Sequence, residues 1–317
     1  TWFEKRGVTL KVEEDNRMFP TTDSSQTIID SFLKEASKLG VQIKYKIPIK
    51  SIDKTPQGFS LVTDEGELRF DKVIIASGGS PKKEGLQWLA DLGHSIVDPV
   101  PSLFTFNIPN NAITKLMGLS VSEASAKIVG TKLQYIGPML ITHWGLSGPA
   151  VLKLSAWGAR YLFDQGYNFT VQVNWLGEAS EEQLRNTLKT FKQSKKQVSN
   201  MRIESITARL WTFLLDKIDV PADTRWIDLD KKSMNRMVNV LVNDQYEVKG
   251  KTTFKEEFVT SGGVNLEDIN FKTMESRKVC GLYFAGEVMD VDGITGGFNF
   301  QAAWSTGYVA GMLTANK

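Results

Sequence analysis

Residues 279–311 hold the densest group of side chains and bare backbone able to do chemistry. The stretch reads VCGLYFAGE at 279–287, DVDGITGGFNF at 290–300, and then small residues as far as Gly311. Glu287 offers a carboxylate that can accept hydrogen bonds from hydroxyl groups. Gly293, Gly296 and Gly297 permit left-handed or close-approach backbone and put no side chain in a ligand's way. If a helix begins near Gly297, the N–H groups of residues 297–299 are free in its first turn and favour an oxyanion or an electron-rich carbonyl. Ala303, Gly307, Ala310 and Gly311 recur at helical spacing, so one face of that helix has almost no bulk. An ordinary close-packed glycine-rich helix would account for the same residues.

These groups need a rigid support. Residues 282–285 form an apolar run too short for a core helix and bounded by Gly281 and Gly286, as in a central strand of a parallel sheet. Residues 72–76, KVIIA, form a second such run. It ends in Ser77, Gly78, Gly79 and Ser80, at the carboxyl edge of an open α/β sheet where ligands bind. Upstream, residues 8–12 alternate as a strand, and Asp23 or Ser24 caps a helix reaching Leu39 with Ile28, Ile29, Phe32, Leu33 and Ala36 as its buried stripe. Alternation at Val41, Ile43 and Tyr45 predicts a strand, followed by short antiparallel strands at 49–53, 59–63 and 67–70. No Gly-x-Gly-x-x-Gly with an acidic residue about twenty positions on is present.

Pro99 and Pro101 punctuate the chain and mark a boundary. Beyond them, strand patterns at 104–108, 126–129, 133–135, 139–142 and 169–174 alternate with helical patterns at 150–163, 203–215 and 233–242. Residues 246–253 read as a returning strand. The expected organisation is 1–98 for the first part of a nucleotide-binding domain, 99–257 for an insert, and 258–317 for its last part. The ends of the insert must then lie close together.

A net charge of +2 on 317 residues gives no bulk electrostatic reason for a nucleic-acid or membrane partner. The basic run at 189–196 reads as solvated helix surface. Lone Cys280 excludes an internal disulfide and a dithiol mechanism, and His94 and His143 are too few for a histidine-rich metal centre. No metal is expected. With no run of eighteen apolar residues and no leader pattern, a cytoplasmic protein is expected. His143 is the titratable candidate for acid–base work, although Thr142 and His143 could equally brace the helix that follows. His94, at a helix end, reads as structural.

The motifs RMFP at 17–20, VIIASGG at 73–79, THWGLSGP at 142–149, TSGGV at 260–264, TMESR at 273–277 and GLYFAGEVMDVDGITGGFNF at 281–300 resemble the NAD(P)/FAD-dependent oxidoreductases of the BaiN and aminoacetone-oxidase type. The resemblance runs along nearly the whole chain. It implies an α/β, Rossmann-like FAD/NAD(P)-binding domain, incomplete at its N-terminus, interrupted by a mixed β-barrel-like and helical insert. In that family the glycine-rich fingerprint precedes the residues matched here, so FAD is expected to be held weakly or not at all by this chain.

The resemblance further implies that Arg17, Ser77, Gly78, Gly79, Gly286, Glu287, Thr295, Gly296, Gly297, Phe298 and Asn299 lie at the cofactor and that His143 faces a small-molecule substrate. NAD(P)H would be the reductant, and a small organic acceptor or dioxygen would be reduced. Asn16 and Ser77 replace the family's usual glycine and threonine, and the loop at 80–85 is shorter than usual. The alternative is a flavoprotein fold kept for binding with little redox activity. Substrate, choice of NADH or NADPH, and oligomeric state stay open.

Overall fold

The computed structural model describes residues 2–14, 16–252 and 259–314. The chain opens with a hairpin, β1 (Leu10–Val12) and β2 (Met18–Pro20), and helix α1 (Ser25–Lys38). Strands β3 (Ile49–Thr55), β4 (Gly58–Thr63) and β5 (Gly66–Phe70) make an antiparallel meander. Strand β6 (Val73–Ile75), short helix α2 (Gln87–Asp91) and strand β7 (Ile96–Ser102) lead to the insert.

The insert contains β8 (Thr105–Asn107), β9 (Ser120–Ile128), β10 (Gln134–Ile141), β11 (Gly145–Ser147), α3 (Pro149–Trp157) and α4 (Ala159–Asp164). It continues with β12 (Asn168–Asn174), α5 (Glu181–Phe191), α6 (Ala208–Lys217), α7 (Lys231–Val242), β13 (Asp244–Lys249) and β14 (Lys251–Thr252). The chain returns through β15 (Val259–Val264), β16 (Ile269–Asn270), β17 (Glu275–Ser276), β18 (Leu282–Phe284) and helix α8 (Phe298–Thr314).

The two short apolar runs do form parallel neighbours: β18 pairs with β6, Leu282 opposite Val73 and Phe284 opposite Ile75. They sit at one end of a four-stranded sheet ordered β16-β17-β18-β6, in which β6 is the edge strand. Leu282, Phe284, Val264, Ile269, Leu89 and Ala310 pack in one hydrophobic cluster with Ile52 and Phe59 of the meander. A second, larger cluster belongs to the insert and includes Phe106, Ile128, Trp175, Trp211 and Trp226. A buried indole needs a partner for its N–H. Trp175 donates to Asp244 Oδ2 at 2.9 Å, Trp211 to the Val198 carbonyl at 2.8 Å, and Trp226 to the Met201 carbonyl at 3.0 Å.

The expected β-barrel-like insert is not found. Among the described residues its strands make one seven-stranded antiparallel sheet in the order β13-β12-β9-β10-β11-β8-β14, and no ladder joins the outermost two. Closure needs a hydrogen-bonded seam between first and last strands. Here β13 and β14 are successive runs of one chain, broken at Gly250, whose φ is +90°. The seam is missing because the two end members follow each other in line. The insert is therefore an open antiparallel sheet with helices against it.

Three local expectations also change. Residues 41–45 form no strand, and Val41, Ile43 and Tyr45 are exposed. Helix α1 starts where expected, with the Ser24 side chain accepting from the Gln26 N–H, but Ile29, Phe32 and Leu33 of its apolar stripe are exposed. Strand β7 runs straight through Pro99 and Pro101 and pairs antiparallel with β15. The strand leading into the insert and the strand leading out are thus zipped together. The expected boundary at 257/258 and the last residue of the expected strand at 246–253 lie outside the described residues. No helix among the described residues is long and apolar enough to cross a membrane.

His94 is structural. It is buried, its Nδ1 lies 3.1 Å from the Leu89 carbonyl and its Nε2 lies 2.8 Å from Ser276 Oγ. Since a carbonyl only accepts, Nδ1 carries the proton and Nε2 accepts from the serine. Burial, the largest cause, holds the His94 pKa below its ordinary value, against the opposite pulls of the Leu89 carbonyl and Asp268. The unfolded chain therefore binds a proton near pH 6.5 that the native chain does not, so stability falls as pH drops below the unfolded value and levels off below the native one. Denaturant midpoints should fall between pH 7.5 and pH 5, and His94→Gln should flatten this part of the profile.

Candidate functional site

The carboxyl end of β6, the bend in β15 and the turn after β18 converge. A Cβ placed on Gly79 would stand 3.5 Å from the Glu287 carbonyl oxygen and 3.6 Å from Thr260 Cβ. Gly286, with φ +73°, lies against α8: its own N–H donates to Thr306 Oγ1 at 2.9 Å, and a Cβ there would touch Ala303 at 3.5 Å. The small-residue face of α8 thus divides in two. Ala303 and Ala310 lie toward the sheet, whereas a Cβ on Gly307 or Gly311 would meet open space.

Glu287 is half-buried, and its carboxylate has no hydrogen-bond partner among the described residues. Burial, with the nearby Asp292 charge adding to it, raises its pKa above the ordinary carboxylate value. Asp292 in turn accepts from Ser102 Oγ of β7 at 2.9 Å. Asp290 pairs with Arg160 of α4 at 3.3 Å, and Arg160 also donates to the Asp98 carbonyl at 3.0 Å. The acidic loop after Glu287 is therefore tied to both the connecting strand and the insert.

Asn299 closes the glycine crossing. Its Oδ1 accepts from the Gly293 N–H at 2.6 Å and its Nδ2 donates to the Gly293 carbonyl at 3.1 Å. The Asn299 amide is spent on the loop, which holds Thr295, Gly296 and Gly297 in place before α8. The first intrahelical bond runs from Gln301 N–H to the Gly297 carbonyl at 3.0 Å, so the N–H groups of residues 298–300 lie ahead of the helical ladder. Gly78 and Gly297 both have positive φ and open space where a Cβ would be.

A half-buried carboxylate without a hydrogen-bond partner among the described residues, bare glycine backbone near its main chain and a helix start fit a flavin's polyol chain and ring edge. Ser77 joins β6 to this cradle. Phe298 is exposed at the start of α8. Arg17 stands on the β1–β2 hairpin with its guanidinium 5.4 Å from the Phe19 ring centre. His143 is on the turn between β10 and β11, exposed, with its ring 3.7 Å from that of Trp144. Thr142 braces this turn through the Gly145 N–H and carbonyl, both at 3.2 Å. No hydrogen bond or ion pair among the described residues ties His143 to the cradle. Sequence reasoning missed Thr260, Asp292, Ser102 and Thr306. The DVD spacing at 290–292 was the available signal for Asp292. Among the described residues no cluster of histidine, cysteine and carboxylate groups could hold a metal ion.

The family match makes this chain a Rossmann-fold flavoprotein of the flavin- and NAD(P)-binding oxidoreductase superfamily, and the α/β sheet with a bare glycine cradle at its carboxyl edge agrees with it. The chain belongs to the HI0933-like family: residues 1–313 match the HI0933-like protein Rossmann domain. It is 26% identical over 318 residues to the 3-dehydro-bile acid delta(4,6)-reductase of Clostridium scindens, covering 95% of this chain and 76% of that one. It is 26% identical over 330 residues to the ribosomal RNA dihydrouridine synthase of Haemophilus influenzae, covering 99% and 78%. The ribosomal RNA dihydrouridine synthase of Escherichia coli is 28% identical over 295 residues, covering 90% and 71%.

Proposed function

We propose that this chain is a cytoplasmic flavin-dependent oxidoreductase of the BaiN and aminoacetone-oxidase type, which uses FAD and NAD(P)H to reduce a ring carbon–carbon double bond conjugated to a carbonyl. The reaction class is suggested by the relatives' names, since a delta(4,6)-reductase of a 3-dehydro steroid and a dihydrouridine synthase each saturate such a bond. The observation that carries the flavin reading is Glu287, a half-buried carboxylate without a hydrogen-bond partner among the described residues, whose backbone carbonyl lies against the bare backbone of Gly79. Bound flavin would supply the hydride transfer. Glu287 would accept from polyol hydroxyls, and the N–H groups at the start of α8 would face the electron-rich ring edge. We assign residues 1–98 and 258–317 to the cofactor half and 99–257 to an insert that covers the substrate, a division supported by the two separate hydrophobic clusters.

A second reading, a fold kept for binding without turnover, is favoured by one feature. The loop at 80–85 closes on itself, Ser80 Oγ donating to the Lys82 carbonyl at 2.7 Å, and leaves little chain to enclose a cofactor.

Equilibrium titration of FAD with excess purified protein, which detects weak binding, should perturb the flavin bands near roughly 370 and 450 nm, and NADPH should bleach the bound flavin under nitrogen. Flavin bands unperturbed at the highest protein concentration would sink the flavin assignment, and bound flavin that NADPH leaves unchanged would favour the second reading. Glu287→Gln should weaken FAD by about tenfold, the loss of one good hydrogen-bond acceptor. The same variant should be more stable than the parent at pH 7 without FAD. The raised native pKa means that the parent's folded state loses stability as pH rises through the carboxylate range, and the amide removes that loss.

A further inference from the structure

The insert carries a polar groove of about 1000 Å³ that the flavin reading does not use. One wall is α7. Its residues Lys231, Asn235 and Asn239 recur every fourth position, with Lys232 and Arg236 one position on, so all five stand on one helix face. The floor is the sheet, where Gln245 of β13 lies opposite Gln172 of β12. Ile218 and Val240 are the only apolar residues of the lining, and it holds no aromatic ring.

Four cations and one carboxylate line the groove, and that carboxylate, Asp244, is already held by Lys217, Trp175 and Tyr246. Outside the lining, Asp230 accepts from the Ser233 N–H, Asp219 lies 3.7 Å from Arg236, and Glu247 accepts from Thr170 at 2.7 Å. Lys231 and Lys232 are exposed and have no ion pair among the described residues, and the buried Nε of Arg236 has no acceptor. The amides lean the same way. Arg185 donates to Asn235 Oδ1 at 2.8 Å, and Gln172 Nε2 donates to Asn243 Oδ1 at 2.9 Å. Both asparagine oxygens are thus engaged, while their NH2 groups remain to donate. A wall of cations and donors suits an ionised phosphate, whose oxygens accept charge-assisted hydrogen bonds. The groove is far larger than one phosphate group, and Gln172 and Gln245 bring both donors and acceptors, as hydroxyl groups require. A nucleobase would need an aromatic platform and a protein partner an apolar anchor, and the lining supplies neither.

We infer that this groove binds a small phosphorylated sugar or polyol, its phosphate on Lys231, Lys232 and Arg236 and its hydroxyls on Gln172 and Gln245. The site is built from insert residues alone and does not depend on the flavin reading.

The test is isothermal titration calorimetry of the whole chain, in buffer free of phosphate, with glucose 6-phosphate, inorganic phosphate and glucose. Glucose 6-phosphate should bind about tenfold more tightly than inorganic phosphate, through the added hydroxyl contacts, and glucose alone should give no binding heat. Its affinity should fall as salt rises from roughly 50 to 200 mM, because the lysines are open to screening. Lys231→Gln with Lys232→Gln should weaken glucose 6-phosphate about tenfold or more. Lys195→Gln with Lys196→Gln, an equal charge change outside the groove, should leave its affinity unchanged. Gln172→Ala with Gln245→Ala should bring glucose 6-phosphate down to the affinity of inorganic phosphate. No binding of glucose 6-phosphate at low salt, equal affinity for it and inorganic phosphate, equal loss from the two lysine pairs, or a gap that survives loss of both glutamines would overturn the inference. Circular dichroism of each variant separates lost binding from lost folding.

Discussion

Replacing Asp244 by alanine should destabilise the protein by about 3–5 kcal/mol, the largest effect expected of any single side chain described above. The carboxylate is 3% exposed and gathers three donors: Trp175 Nε1 at 2.9 Å, Lys217 Nζ at 2.5 Å, and the Tyr246 hydroxyl. Trp175 and Tyr246 are themselves buried. Alanine would leave an indole N–H and a phenol without partners inside the core, and an ammonium ion without its counter-charge. Burial, with the Asp244 charge adding to it, already holds the Tyr246 phenol well above its ordinary pKa, so the phenol stays protonated and donates throughout the working range. Urea unfolding should show a large drop in midpoint for Asp244→Ala and a smaller one for Asp244→Asn, which keeps one acceptor. Equal stability of the alanine variant and the parent would mean that water replaces the carboxylate.

Gly263→Ala should cost about 3 kcal/mol or more, through left-handed backbone and overlap together. The residue has φ +149°, and a Cβ would lie 2.5 Å from the Val288 carbonyl oxygen and 2.6 Å from the Met289 carbonyl carbon. Both contacts are with backbone, so no side chain can rotate away. The Asp290 N–H donates to the Val264 carbonyl at 3.0 Å across this joint, and its hydrogen exchange should speed up sharply in the variant. Gly297→Ala is the comparison. It has φ +86° but open space for the methyl, so it should cost about 1 kcal/mol and leave Asp290 protected. Equal behaviour of the two variants would show that conformation, not contact, sets the requirement at Gly263.

The central strands were legible because an apolar run too short for a helix, stopped by glycines, has few other readings, and β6 and β18 were placed accordingly. The start of helix α5 carries a local signal of the same kind, Ser180 and Gln183, which form a reciprocal capping box. Strand β7 was hidden by Pro99 and Pro101. A two-stranded ribbon leaves half its N–H groups unpaired, so prolines that would break a central strand are tolerated there. The stripe of α1 was read correctly as apolar, but amphipathicity does not say what will cover it, and Phe32 instead joins an aromatic cluster with Trp2, Phe3 and Trp304 at the surface. The barrel expectation failed for a related reason: strand patterns do not state which two strands must meet. At the site, the glycines and Glu287 could be read locally. The contact of Ser102 with Asp292 spans 190 positions, and no local pattern announces such a pair.

The pairing of β7 with β15 also sets how the insert can move. A ribbon of two hydrogen-bonded strands resists stretching and shear far more than bending out of its own plane, so the soft coordinate is a swing of the insert about the ribbon at fixed radius. One surface contact opposes that swing, Arg160 with Asp290, while the Ser102–Asp292 bond ties the ribbon itself to the acidic loop. An exposed ion pair contributes about 1 kcal/mol or less, so thermal energy and moderate salt are enough to release it. If the insert covers the substrate as proposed, its hold on the acidic loop rests on a contact that costs little to break, while the ribbon keeps it in register.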